Sequence, residues 1–173
     1  MWVIKDVIEK EKLIGVYNKL INEPSWYLSR GSNRGDITAG TFPGMNILNG
    51  DDVISSHWLN YFESLLPDID NKCKDQYGFG LPENLLRIHL VAKQENANAE
   101  FHIDIDNPKA MSLIGMLSPV WEDSWGGEFY CNDEKVNHSP GSFILIKSNQ
   151  LHNGLGPRVK TPYWRIIVNY ILI

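Results

Sequence analysis

From Leu85 onward the apolar residues fall into short runs with the period of a strand, separated by turn signals. That pattern makes the second half of the chain a run of short β-strands. Leu85 to Ala92 alternates, Gln94 to Ala99 is a polar loop, and Glu100 to Ile105 reads as a strand. Asp106-Asn107-Pro108 is a turn, and Ser112 to Leu117 is a strongly apolar strand. A polar and aromatic connection, Ser118 to Trp125, leads to a strand over Gly127 to Cys131 and a hairpin turn at Asn132-Asp133-Glu134-Lys135. Pro140-Gly141 turns the chain into Ser142 to Lys147, and Tyr163 to Ile173 is the last strand. Many short strands following helices predict a β-sandwich or jelly roll with helices packed outside it.

The first half carries those helices. Ile4, Val7, Ile8, Leu13, Val16, Tyr17, Leu20 and Ile21 recur at roughly helical spacing over residues 4 to 22, and Pro24 stops the run. Residues 25 to 50 read as a loop with short strands. Trp26, Tyr27, Arg30 and Arg34 make it a lid or substrate-recognition segment, or equally a solvated connector. Asp51 and Asp52 cap a second helix with the stripe Ile54, Trp58, Phe62, Leu65 and Leu66, broken or kinked at Pro67. With 173 residues, 43% hydrophobic and 21% charged, the chain is expected to form one domain, residues 1–173. In it, 1–84 supply helical support and a lid region, and 85–173 the jelly-roll core.

The formal net charge of −5 weighs against a nucleic-acid-binding surface. Cys73 and Cys131 are too few for a disulfide framework and fit a reducing interior. No apolar run reaches the length of a membrane span, and the amphipathic, charged N-terminus does not look like a secretion signal. A cytoplasmic protein is expected.

The chemistry-bearing residues lie between Phe101 and Arg165. His102 and Asp104 are two apart, so on a strand they share a face. Alone, they are explained by an ordinary surface strand with polar residues outward. If the strand carrying His152 lies beside them, two imidazoles and one carboxylate form the open three-ligand face that suits non-haem Fe(II). Thirteen residues after His152 comes Arg165, in the apolar run Tyr163-Trp164-Arg165-Ile166-Ile167-Val168. A cation there needs a partner: a buried carboxylate of the chain, or a ligand carboxylate held by the guanidinium fork. Arg87 competes for that role, whereas Arg158 and Lys160 read as solvated. Trp121 and Trp125 read as packing or rim, or else as a stacking surface for a substrate at the barrel mouth, Glu128 as facing the cavity or solvent, His89 as a core or edge histidine, and His57 and His138 as surface residues.

Taken in order, His102-Ile103-Asp104, the strand Ser112 to Ser118, Trp125-Gly126-Gly127-Glu128, Pro140-Gly141-Ser142-Phe143-Ile144-Leu145-Ile146, His152 and Arg165 resemble the Fe(II)- and 2-oxoglutarate-dependent oxygenases. Within them the set is most similar to the prolyl-4-hydroxylase-like branch, and the likeness covers roughly residues 85 to 173. The resemblance implies a double-stranded β-helix, a cupin-like jelly roll, with helices buttressing one sheet. It implies Fe(II) on His102, Asp104 and His152, and the distal carboxylate of 2-oxoglutarate on Arg165. Dioxygen would be the oxidant, ascorbate an accompanying reductant, and succinate and CO2 the products beside a hydroxylated C–H bond.

Prolyl hydroxylases usually carry a lysine in the place of Arg165. Many arginine-using members set a hydroxyl two positions on, where this chain has Ile167, so Ser112 or Tyr163 is the candidate to assist Arg165. Asp104 argues against the halogenase variant, in which a small residue replaces the carboxylate. The implied substrate is a peptidyl proline or other peptidyl residue, or alternatively a free amino acid or small metabolite. A non-catalytic metal-binding jelly roll stays open as a different class.

Overall fold

The computed structural model describes residues 1–29 and 42–173. Its strands run in chain order as β1 (Trp2–Ile4), β2 (Tyr27–Ser29), β3 (Phe42–Asn49), β4 (Asp52–Val53), β5 (Leu85–Lys93), β6 (Met111–Met116), β7 (Phe129–Cys131), β8 (Glu134–Val136), β9 (Phe143–Lys147), β10 (His152–Gly154) and β11 (Arg165–Leu172). The helices are α1 (Lys10–Ile21), α2 (Ser56–Glu63) and α3 (Leu66–Tyr77). One sheet has the order β1-β9-β6-β11-β5-β3-β2, with β4 on β3, and a smaller one has the order β10-β7-β8. From β6 on, the chain passes from the large sheet to the small one and back twice, which is the winding of a double-stranded β-helix, with every pairing antiparallel.

The large sheet is buried on both faces, which is why its central strands read as nearly continuous apolar runs. On one face Ile88, Leu90 and Ala92 of β5 and Ile166, Val168, Tyr170 and Leu172 of β11 join the buried stripes of α1, α2 and α3. Tyr170 is fully buried there, and its hydroxyl donates to the Phe62 carbonyl at 3.1 Å, so its polar end is satisfied. On the other face Ile114, Met116, Ile144 and Ile146 meet Phe129 and Cys131 of the small sheet. Alternate residues of β5 and β11, Arg87, His89, Val91 and Lys93 with Arg165, Ile167 and Asn169, share this inner side.

The structure departs from the sequence reading at four places. The helix read over residues 4 to 22 begins only at Lys10: Ile4 ends β1, which pairs antiparallel with β9, and Asp6 at φ 55° breaks the chain before α1. In the stretch read as a loop, β3 pairs with β5 with an irregularity between Asn46 and Leu48, and Pro43 and Gly44 had disguised it. Arg30 and Arg34 lie outside the described residues. Asp52 belongs to β4, and Ser55 instead stands at the start of α2; Pro67 sits in the first turn of α3, where a missing N–H costs nothing. Residues 100 to 105 form no regular strand and pair only at His102.

Gly141 ties the N-terminus to this frame. Its φ is +73°, its N–H donates to the Met116 carbonyl at 2.8 Å, and its own carbonyl accepts from Val7 and Ile8 at 3.0 and 3.1 Å. A Cβ on Gly141 would collide with the backbone carbonyl of Ile8. Gly141→Ala is therefore expected to cost roughly 2–4 kcal/mol in urea unfolding, strain and overpacking together. Gly50→Ala, also at positive φ but with open space around it, should cost about 1 kcal/mol. Equal losses would show that φ alone matters at Gly141.

Candidate metal centre

Two backbone hydrogen bonds put the histidines side by side. The His102 N–H donates to the His152 carbonyl and the His152 N–H to the His102 carbonyl, each at 2.9 Å. This is the close hydrogen-bonded pair of an antiparallel ladder, so both side chains leave on one side. Two residues on, the Asp104 N–H donates to the Ser148 carbonyl at 2.9 Å and brings its carboxylate to the same side. The imidazole centroids are 4.4 Å apart, and Asp104 oxygens lie 3.9 Å from His102 Nε2 and 3.5 Å from His152 Nε2. One ligand atom from each of the three residues falls within 4.8 Å of the others.

The ring orientations decide which nitrogens are available. His102 Nδ1 lies 2.8 Å from the Glu100 carbonyl and His152 Nδ1 2.9 Å from the Gln150 carbonyl. A carbonyl only accepts, so Nδ1 carries the proton and each Nε2 presents its lone pair toward Asp104. Burial pushes the His102 imidazole below its ordinary value, which favours the neutral, ligating form. Burial alone would raise the Asp104 carboxyl. His152, the Ser112 hydroxyl at 2.5 Å and the Arg87 guanidinium at 3.5 Å outweigh it and hold the group below the usual carboxylate range. Two imidazole Nε2 atoms and a carboxylate are the donor set that suits a divalent transition metal.

Phe129 stacks on the His152 ring at 5.6 Å, and Asn169 Nδ2 points at Asp104 from 3.4 Å. The three residues open into a cavity of about 190 Å³. Its walls include Phe42, Val91, Ile114 and Ile167, with Arg87 and His89 among its lining. Burial first, and Arg87 next, push His89 down to about 4, so it stays neutral. Lys93, only 2% exposed, also lines the cavity, with its ammonium on the Gly154 carbonyl and 4.8 Å from the centre of the Phe42 ring.

Arg165 is fully buried on the same side of β11 as Ile167 and Asn169. Its Nε donates to the Gly127 carbonyl at 2.8 Å, while Nη1 and Nη2 are buried with no hydrogen-bond partner among the described residues. Gly127 explains the glycine pair in the motif: its φ is +80°, and a Cβ would stand 2.9 Å from Arg165 Cδ. Trp121 braces this turn through its indole N–H on the Gly126 carbonyl and packs edge-on against Trp125. Glu128 is buried and paired with the otherwise exposed Arg158, so Arg158 is not simply solvated.

Three residues fall elsewhere than the sequence suggested. The Ser112 hydroxyl is committed to Asp104 and Ser148, not to Arg165. Tyr163 packs edge-on against Tyr17 of α1, on the helix-covered side of the sheet. His138 is buried against Trp121 rather than at the surface. Lys93 was overlooked, although it continues the phase of Arg87, His89 and Val91 along β5.

No protein-family model and no curated protein matches the sequence. Solved structures do match in fold. A 2OG-Fe(II) oxygenase family oxidoreductase from Burkholderia pseudomallei superposes with TM-score 0.71 at 14% identity, covering 95% of this chain and 80% of that one. A prolyl hydroxylase from Trichoplax adhaerens, in complex with a peptide fragment of the hypoxia inducible factor oxygen degradation domain, gives 0.65 at 13% identity, covering 98% and 82%. The non-haem α-ketoglutarate-dependent epimerase SnoN of nogalamycin biosynthesis gives 0.67 at 11%, covering 98% and 75%. At these identities the likeness is one of fold, and the same fold carries more than one reaction.

Proposed function

We propose that this chain is an Fe(II)- and 2-oxoglutarate-dependent oxygenase that hydroxylates a C–H bond. The observation that carries the reading is the convergence of two Nε2 lone pairs and an ionised carboxylate on one wall of a cavity that has buried cations beside it. His102, Asp104 and His152 would hold the iron. Bound there, iron supplies redox chemistry with dioxygen, coupling oxidative decarboxylation of 2-oxoglutarate to succinate and CO2 with hydroxylation of the substrate.

The chain's own residues do the rest. Ser112 and Asn169 fix the Asp104 carboxylate, and the Glu100 and Gln150 carbonyls fix the two imidazoles. Val91, Ile114, Ile167, Phe42 and Phe129 keep the cavity dry. Arg165, with two unsatisfied donors, is the anchor for the distal carboxylate of the cosubstrate.

At about 190 Å³ the cavity is smaller than the ~300–1,000 Å³ of sites for drug-sized ligands. It suits the cosubstrate and leaves the substrate at the mouth. There Tyr27 and Ile103, 44% and 43% exposed, offer an apolar rim. That rim supports a peptidyl side chain as substrate, the kind of molecule the Trichoplax enzyme holds. Arg87, lining the cavity beside Asp104 with its Nε buried and unpartnered, favours a second reading, a free amino acid or other carboxylate-bearing metabolite.

The test is succinate formation from 2-oxoglutarate by the purified chain. It should require Fe(II) and oxygen, persist slowly without substrate, and be stimulated by peptides on the first reading and by free amino acids on the second. Succinate no higher than in a metal-free control, across both panels, would refute the assignment.

A further inference from the structure

Two cations stand side by side on the inner face of the large sheet. Lys93 and Arg165 are direct partners across the β5–β11 ladder, 2% and 0% exposed. A buried cation is costly unless an anion answers it. Among the described residues, the carboxylate that acts on Arg165 is Glu128, and Glu128 is itself shared with Arg158. Lys93 has a carbonyl and an aromatic face, and no carboxylate among the described residues. Among the described residues the positive charge of Lys93 and Arg165 is therefore only partly answered, and Nη1 and Nη2 of Arg165 have no hydrogen-bond partner.

Of the two, Lys93 is in the cavity wall. Arg165 lies behind it, with its Nη1 3.7 Å from where a Cβ of Gly154 would be, and the Gly154 carbonyl is the atom that Lys93 holds. No hydroxyl of β11 takes part, since position 167 is isoleucine, and Ser112 and Tyr163 are engaged elsewhere.

We infer that Lys93 is the second donor to the cosubstrate's distal carboxylate, sharing it with Arg165, and that this pair makes the site selective for a dicarboxylic 2-oxoacid. The inference rests on the oxygenase reading. On binding, the ammonium leaves the Gly154 carbonyl for the carboxylate, with the Phe42 ring beside it. Burial and the neighbouring Arg165 hold the Lys93 ammonium well below its ordinary value, and an arriving carboxylate would reverse that push.

The experiment is titration calorimetry on oxygen-free, Mn(II)-loaded protein with two probes, 2-oxoglutarate and 2-oxopentanoate, in which a methyl group replaces the distal carboxylate. Wild type should bind 2-oxoglutarate the more tightly. Lys93→Met should lose roughly 10- to 100-fold in 2-oxoglutarate affinity, the worth of a charged hydrogen bond, with 2-oxopentanoate changed less than about twofold. Lys93→Gln keeps a donor for Gly154 without the charge and should behave alike, which covers a Met variant that fails to fold. An equal loss for both probes would make Lys93 a structural prop, and an unchanged preference would exclude it from the site; either overturns the inference and leaves the oxygenase reading standing. No binding of 2-oxoglutarate by wild type would instead overturn the oxygenase reading, and this inference with it.

Discussion

His152→Ala is expected to abolish metal binding and 2-oxoglutarate turnover together while leaving the jelly roll folded. The backbone argument protects the fold: both hydrogen bonds between His102 and His152 are main-chain and survive the substitution. What the fold loses is one ring, 3% exposed and stacked on Phe129, a cost of roughly 1–3 kcal/mol. What the proposed metal site loses is one of its three ligands. Removing even an outer partner of a metal ligand costs about 10- to 100-fold in affinity, so loss of the ligand itself should exceed about 100-fold. His102→Ala should match it, with a smaller stability cost because its side chain is more exposed. Metal content after dialysis, succinate yield and thermal unfolding by circular dichroism separate the outcomes. A metal-binding module without catalysis would lose metal in the variants and show no wild-type succinate. Full turnover in either variant would sink the iron assignment.

The legible part of this site was whatever local spacing dictates. His102 and Asp104 two residues apart must share a face of any extended segment, and a lone arginine in the apolar run of β11 had to be paired or waiting for a ligand. The winding was legible too, because turn signals such as Pro140-Gly141 punctuate the strands from β6 onward. Long-range partners were not. Nothing near Ser112 in sequence says that its hydroxyl meets Asp104, eight residues away, across a turn. His138 looked solvated because its neighbours Asn137 and Ser139 are polar, yet the Trp121 ring covers it. Lys93 sits where the strand pattern gives out into a polar loop, and a lysine there reads as a solvated end unless β11 is known to lie alongside. The β1 strand was hidden because Ile4 fits the apolar stripe of the helix that follows as well as it fits a sheet edge.

Arg165→Met should raise the 2-oxoglutarate requirement by more than about 100-fold, with much less change in turnover at saturation. The guanidinium offers two buried donors with nothing to hold, the geometry of a fork that closes on a carboxylate. Losing both hydrogen bonds to a charged group removes roughly 3–6 kcal/mol of cosubstrate binding, offset in part by Lys93 beside it. Stability should move the other way or hardly at all. Methionine fills much of the same space and deletes a buried cation whose charge is only partly answered by Glu128; the loss is one hydrogen bond to the Gly127 carbonyl, about 1 kcal/mol. Arg165→Lys keeps the charge but not the fork and should fall between wild type and Met. Steady-state titration with 2-oxoglutarate, alongside urea unfolding, reads both quantities on the same protein. If the requirement stays at the wild-type value while stability drops by several kcal/mol, Arg165 is a structural partner of Gly127 and Glu128, and the cosubstrate's carboxylate must be held without it.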